Sequence, residues 1–287
     1  LGLIGAGYGE AGWIAAQSEL CGDARVGVGF ITWSLAKSPA LLTAALERRP
    51  AAVMLSFGDP RPFADEIARA GALLIRQRQT LAHVREAIEA GADVVVAQSA
   101  EAGGHGMARG ALSFTPEAAD LIDARAPAPA LAAAGGIADG RGLAAALMLG
   151  AHGALVGTRL WASSREALVH PRHHAAILAA GGDDTLRTRV VNIARQLASP
   201  SGVSARVLQN AFTRRWHGRE GELERIAASE GPRYRQAALE GDAEAAGVWF
   251  GEAAGLIESI EQARAIVERM VAQAADLLDR RAGANLV

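Results

Sequence analysis

The sequence holds a single cysteine, Cys21, among its 287 residues. That excludes an internal disulfide framework and any cysteine-based metal centre. Aromatic residues make up only 5% of the chain, and Lys37 is the one lysine among 29 basic side chains. A formal net charge of −2 gives no global basic field for nucleic acid or an acidic membrane. No apolar run reaches the ~18 residues that a membrane span requires, and no signal-peptide pattern is present. These absences point to a cytoplasmic protein without nucleic-acid or membrane partners. The initiator methionine is missing too: Leu1-Gly2-Leu3-Ile4 starts as if already inside a strand, and a segment is expected in front of it.

What the chain has in quantity is small and apolar residues, with 50% hydrophobic residues and 33 glycines. Short strand patterns recur at Leu1–Gly5, Val26–Thr32, Ala52–Phe57, Ala72–Arg76, Ala92–Gln98, Ala130–Ala134 and Gly153–Gly157. Helical patterns separate them at Leu41–Arg48, Phe63–Ala70, Leu81–Ala90, Pro116–Arg125 and Gly140–Leu149. Strand–helix alternation of this kind implies right-handed βαβ units and a parallel sheet. The expected fold class is α/β, a (β/α)8 TIM barrel that lacks its first strand–helix unit. Residues 1–164 and 256–287 make the barrel in this reading. Residues 165–255 form a helical lid or insertion, with helices at Pro200–Arg215, Gly221–Glu230 and Tyr234–Leu239. A last amphipathic helix covers Ile260–Arg280.

Three stretches carry chemistry. After the fifth strand, Ala97-Gln-Ser-Ala-Glu-Ala-Gly-Gly-His-Gly106 brings small residues up to one histidine, His105. Glycines at 103 and 104 let a flat ligand approach the backbone and meet an imidazole that titrates near neutral pH. The same pattern also suits a solvated loop histidine. Two consecutive strands then end in Gly135-Gly136 and in Gly157-Thr158. Exposed backbone N–H groups and one hydroxyl at such ends suit a phosphate monoester, although turn glycines and a helix cap give the same letters. The opening Gly5-Ala-Gly7-Tyr-Gly9 mimics a dinucleotide turn, but no acidic residue follows at the right distance. His170-Pro-Arg-His173-His174 lacks acidic or cysteine partners, so no metal site is expected.

Taken together, Glu101-Ala-Gly-Gly-His105, Ala134-Gly-Gly-Ile-Ala-Asp-Gly140 and Gly157-Thr-Arg159 resemble the nitronate monooxygenase family, formerly called 2-nitropropane dioxygenases. The resemblance runs on through Gly182-Asp-Asp184, Asn210-Ala-Phe-Thr213, Arg215-Trp-His-Gly218 and Gly251-Glu-Ala-Ala-Gly-Leu-Ile257. It implies an FMN-containing barrel that oxidises alkyl nitronates with O2 to a carbonyl compound and nitrite. His105 then stands at the substrate as a base toward neutral nitroalkanes. Gly104, Gly135, Gly136, Gly157 and Thr158 contact the cofactor, with Gln77 and Gln98 near the flavin ring or ribityl chain and Gly255 closing over it. Family members begin with a strand and a Pro-Met-containing turn that this sequence does not show, so weakened FMN binding is expected. A homodimer is left open. The rival readings are an FMN-dependent enoyl-thioester reductase that uses NAD(P)H, and a catalytically impaired fragment.

Overall fold

The computed structural model describes residues 1–164 and 169–282. The first residues of the expected insertion, 165–168, and the end of the expected barrel segment, 283–287, lie outside the described residues. The chain folds as two compact units. Unit 1 takes Leu1–Ala97 with Pro116–Ala132, and unit 2 takes Gln98–Thr115 with the chain from Ala133 onward.

Unit 1 carries β1 (Gly2–Gly7), β2 (Val26–Ile31), β3 (Ala52–Ser56), β4 (Leu73–Arg78) and β5 (Val94–Gln98, up to Ala97). They are hydrogen-bonded side by side in chain order, and the pairs from β1 to β5 are parallel. The intervening helices, among them Arg61–Arg69 and Leu81–Glu89, answer to the apolar periodicity. Thr80 caps the second of these by accepting from the His83 N–H. Phe63 and Ile67 of the first bury with Val28, Phe30, Val53, Leu55 and Leu74 from the strands. The expected α/β class and parallel order are what this unit shows.

Unit 2 holds β6 (Gly104–Gly106), the last residues of β7 (Ala130–Ala134), β8 (Gly153–Leu155), β9 (Thr185–Thr188) and β10 (Ser204–Leu208). Three expectations need correcting here. The stretch Pro200–Arg215 was expected to be one helix, yet it contains β10, and helix begins only at Ala211. The histidine stretch is not merely a loop, because β6 pairs antiparallel with β10, and β10 with β9. The insertion is thus part strand and part helix. The two helices expected at Gly221–Glu230 and Tyr234–Leu239 are one continuous helix, Glu220–Leu239, which carries Pro232 inside it. No described helix is long and apolar enough to cross a membrane.

The helix Gly140–Met148 packs on the final helix Ala263–Ala282 through glycine. A Cβ on Gly140 would stand 2.5 Å from the Ala274 nitrogen and from the Gln273 Cβ. Gly140→Ala should therefore lower stability by about 1–3 kcal/mol through overpacking, in spite of alanine's better helix propensity. Gly221→Ala, whose Cβ meets nothing within 4 Å, should raise it by at most about 1 kcal/mol. Urea midpoints of the two variants check both signs.

Candidate active site

The site is built on the chain from Gln98 to Met107 in unit 2. Its course is fixed mostly through its own backbone groups, which bond to both side chains and backbone elsewhere. Gln98, 6% exposed, donates from Nε2 to the His105 carbonyl at 2.8 Å and so ties the two ends of the excursion. The Ala100 N–H donates to the Arg109 carbonyl, and the Glu252 N–H to the Glu101 carbonyl. Gly103 must be glycine here, since a Cβ would lie 2.5 Å from the Phe250 carbonyl carbon. Gly251 faces it for the same reason, with a Cβ only 2.4 Å from the Glu101 carbonyl oxygen.

Two arginines that the sequence reading passed over hold this backbone in place. Arg187 on β9 and Arg206 on β10 are register partners, which places two like charges opposite each other. Arg187 donates from Nη2 to the carbonyls of Ala100 and Ala102 at 3.0 and 3.1 Å. Arg206 donates to the Ala100 carbonyl at 2.9 Å and to the Thr185 hydroxyl, and it pairs with Glu252 at 2.7 Å. Carbonyl oxygens and one carboxylate thus offset a repulsion that the β-pairing creates. Burial pulls Arg187 down to about 10, still charged at neutral pH. The available signal was an arginine inside each of two short, mostly uncharged stretches, Thr185–Thr188 and Ser204–Leu208.

His105 sits in the middle of β6. Its Nε2 is 3.1 Å from Oδ1 of Asn192, a side chain only 2% exposed. The Asn192 amide nitrogen donates to the Ser199 hydroxyl, which leaves Oδ1 as the acceptor for His105. Nε2 therefore carries the proton, and Nδ1 is the basic nitrogen. The Trp249 ring lies 5.5 Å from the imidazole, centroid to centroid, and Arg195 lies over that same indole at 5.3 Å. Burial, then the charges of Arg195 and Arg187, push His105 down to about 4 against the lift from Asn192. The imidazole is neutral at neutral pH, in a positive surrounding that suits an anionic ligand. Asn192 and Arg195 had given no sign in the sequence. Trp249 had given none either, and its ring is tilted 39° to the imidazole.

The other expected site residues fall in different settings. Gly135, with φ 104°, would place a Cβ 2.2 Å from the Ser99 hydroxyl, so close packing alone demands glycine there. Gly136, φ 73°, faces Glu101. Both line an apolar cavity of about 410 Å³ whose polar walls include Glu101 and Glu252. Gly157 precedes the short helix Thr158–Trp161, and its Cβ would meet nothing within 4 Å. The Thr158 hydroxyl accepts from the Gly251 N–H at 3.0 Å. Gly104, φ 74°, lies under the edge of Trp249. Gly255 packs against the Gly181–Gly182 backbone. Gln77 belongs to unit 1, where its Oε1 accepts from the Ser56 hydroxyl at 3.3 Å. Unit 2 therefore gathers His105, Gln98 and Gly104 closely, and it also holds Gly135, Gly136, Gly157, Thr158 and Gly255.

A model of the nitronate monooxygenase family matches residues 35–273. The chain is 35% identical over 274 residues to nitronate monooxygenase npaC of Metarhizium robertsii, covering 88% of this chain and 74% of that protein. Among solved structures, FabK from Thermotoga maritima superposes with a TM-score of 0.83 at 29% identity, over 99% of this chain and 87% of that one. A nitroalkane oxidase from Streptomyces ansochromogenes gives 0.77 at 25% identity, over 98% and 90%. With the histidine strand, the paired glycines and the Gly-Thr turn all inside the matched region, the chain belongs to the nitronate monooxygenase family.

Proposed function

We infer that this enzyme uses FMN to oxidise alkyl nitronates with O2, yielding a carbonyl compound and nitrite. The observation that carries the reading is His105, a neutral imidazole oriented by Asn192 beside Trp249, inside a positive field. The residues present suit a flavin phosphate. Gly157 leaves open space where a side chain would stand. The first-turn N–H groups of a helix have no intrahelical acceptor, so those of Thr158 and its successors suit a phosphate oxygen. The Thr158 hydroxyl proton adds a further donor. Gly135 and Gly136 supply the turn, since their open side carries the carboxylates of Glu101 and Glu252. Gln98 offers its amide to the ring or ribityl chain, and Gly104 and Gly255 keep the backbone low over it. The flavin, once bound, supplies the redox chemistry.

The protein's own residues select the substrate. Arg195 favours an anionic nitronate over a neutral nitroalkane by its charge, and Trp249 covers the position from one side. A base with a pKa of about 4 accepts the α-proton of a neutral nitroalkane poorly, so the preformed nitronate is the better substrate. Asn192 and Trp249 both come from residues 165–255, which supports a covering role for that insertion.

The direct check is the visible spectrum of the purified chain, loaded with FMN, followed in air with ethylnitronate. Flavin bands, O2 uptake and stoichiometric nitrite are expected. Absence of flavin after FMN loading counts against the reading. Bleaching by NADPH with turnover of a crotonyl thioester would favour the reductase alternative. His105→Ala should cost about 10²-fold or more on a neutral nitroalkane and much less on its nitronate.

Gly157→Val should fold normally, because its Cβ position is open, yet retain several-fold less FMN by equilibrium dialysis. NMR titration of the His105 imidazole should give a midpoint near 4. Arg195→Gln removes a charge that disfavours the imidazolium, so the midpoint should move upward toward 6.5. An unchanged midpoint would show that Arg195 does not act on the histidine.

A further inference from the structure

Unit 1 buries two arginines with too few partners. Arg76 and Arg78 on β4 are 0% and 2% exposed. Alternation along the strand sends them to the face opposite Gln77. Arg76 has Leu55 as its register partner, and Leu55, Val53 and Leu74 pack with Phe63 and Ile67 of the helix Arg61–Arg69. Both guanidiniums therefore lie in the layer between strands and helices.

Their hydrogen bonding is incomplete. Each donates from Nη2 to one shared acceptor, the Gly58 carbonyl, at 2.7 and 3.2 Å. Nε and Nη1 of Arg76 and Nε of Arg78 are buried without an acceptor among the described residues. The hydroxyl of Thr32, a residue 1% exposed, is buried without a partner as well. It belongs to the same corner, since a Cβ on Gly58 would stand 3.0 Å from the Thr32 Cβ.

The backbone there is strained. Phe57 has φ 59°, unusual for a bulky residue, and Gly58 follows at 151°. This turn puts the Gly58 carbonyl between the two arginines. The helices Arg61–Arg69 and Leu81–Glu89 start just beyond it, and their N-termini add positive potential. Two carboxylates stand near. Asp59 is already held by Arg61 at 2.6 Å, and Glu86 acts on Arg78 only through its field. Burial lowers Arg78 to about 10, so it stays charged at neutral pH. The Nδ1 of His83, also buried and unpartnered, adds no negative charge.

Buried polar groups in native proteins find partners, and unpaired guanidinium N–H groups match the oxygens of carboxylates and related oxyanions. We propose that Arg76, Arg78 and Thr32 bind a small free oxyanion (carboxylate, nitrite or phosphate) at the C-terminal ends of β2, β3 and β4, on their helix-facing side. The proposal rests on residues of unit 1 alone and does not depend on the flavin reading.

The test is thermal unfolding of the full chain as purified, in chloride buffer at constant ionic strength, with added acetate, nitrite or inorganic phosphate. At least one anion should raise the midpoint saturably, by about 2–4 °C at about 10 mM. The double variant Arg76→Met/Arg78→Met should show no such rise. It should be no less stable in chloride alone, because methionine replaces an unpaired buried charge. Isothermal titration of the unaltered chain gives an independent readout that does not require the variant to fold, and saturable heat is expected from the same anion. A midpoint flat to all three anions, a titration without saturable heat, or an equal rise in the variant overturns the proposal.

Discussion

The candidate active site depends on two half-buried guanidiniums on adjacent antiparallel strands. Arg187 and Arg206 would repel each other if left alone, and what relieves them is the carbonyl oxygens of Ala100 and Ala102. A loop rich in glycine and alanine has little side-chain surface with which to anchor itself. Charge-assisted bonds to its backbone replace the missing packing. The close crossing of Gly103 with Gly251 completes the anchorage, because only glycines let the two backbones come so near. Arg187, one of the two that set the path of the loop, also contributes to the field around His105.

That field decides what the histidine can do. Burial already disfavours the imidazolium, and Arg195 and Arg187 disfavour it further. Asn192 restrains the effect and fixes which nitrogen carries the proton. A histidine in this state is a neutral, oriented polar group in a positive surrounding, better suited to receiving an anion than to taking a proton from a neutral carbon acid. The proposed preference for a nitronate thus rests on electrostatics as well as on family membership.

Some of this was legible in the residues. The β-branched run at Val94–Val96, the alternation of strand and helix and the Gly-Gly and Gly-Thr strand ends placed the parallel strands within a few residues. The antiparallel sheet was not legible. Its strands β6, β9 and β10 are short, and β6 pairs His105 with Ala205, far along the chain. Nothing local in Gly104-His105-Gly106 signals a strand, because glycine disfavours one and three residues show no periodicity. Gly135 was read as a ligand-binding glycine; its φ of 104° and its close neighbours Ser99 and Ala102 are further reasons for glycine that the sequence pattern does not show. Arg76 and Arg78 were passed over because arginine in a strand reads as solvent-facing until its neighbours are known.

The sequence by itself determined the α/β class and the order of the parallel strands, and it singled out the histidine on which the candidate site is built. Those features rest on periodicity and on residues whose backbone freedom or chemistry is intrinsic. Tertiary structure decided the tautomer and charge of His105, the partners of Arg187 and Arg206, and the burial of Arg76 and Arg78. Each of these depends on which groups meet across long stretches of chain, and desolvation and Coulomb energy are set by distance in space.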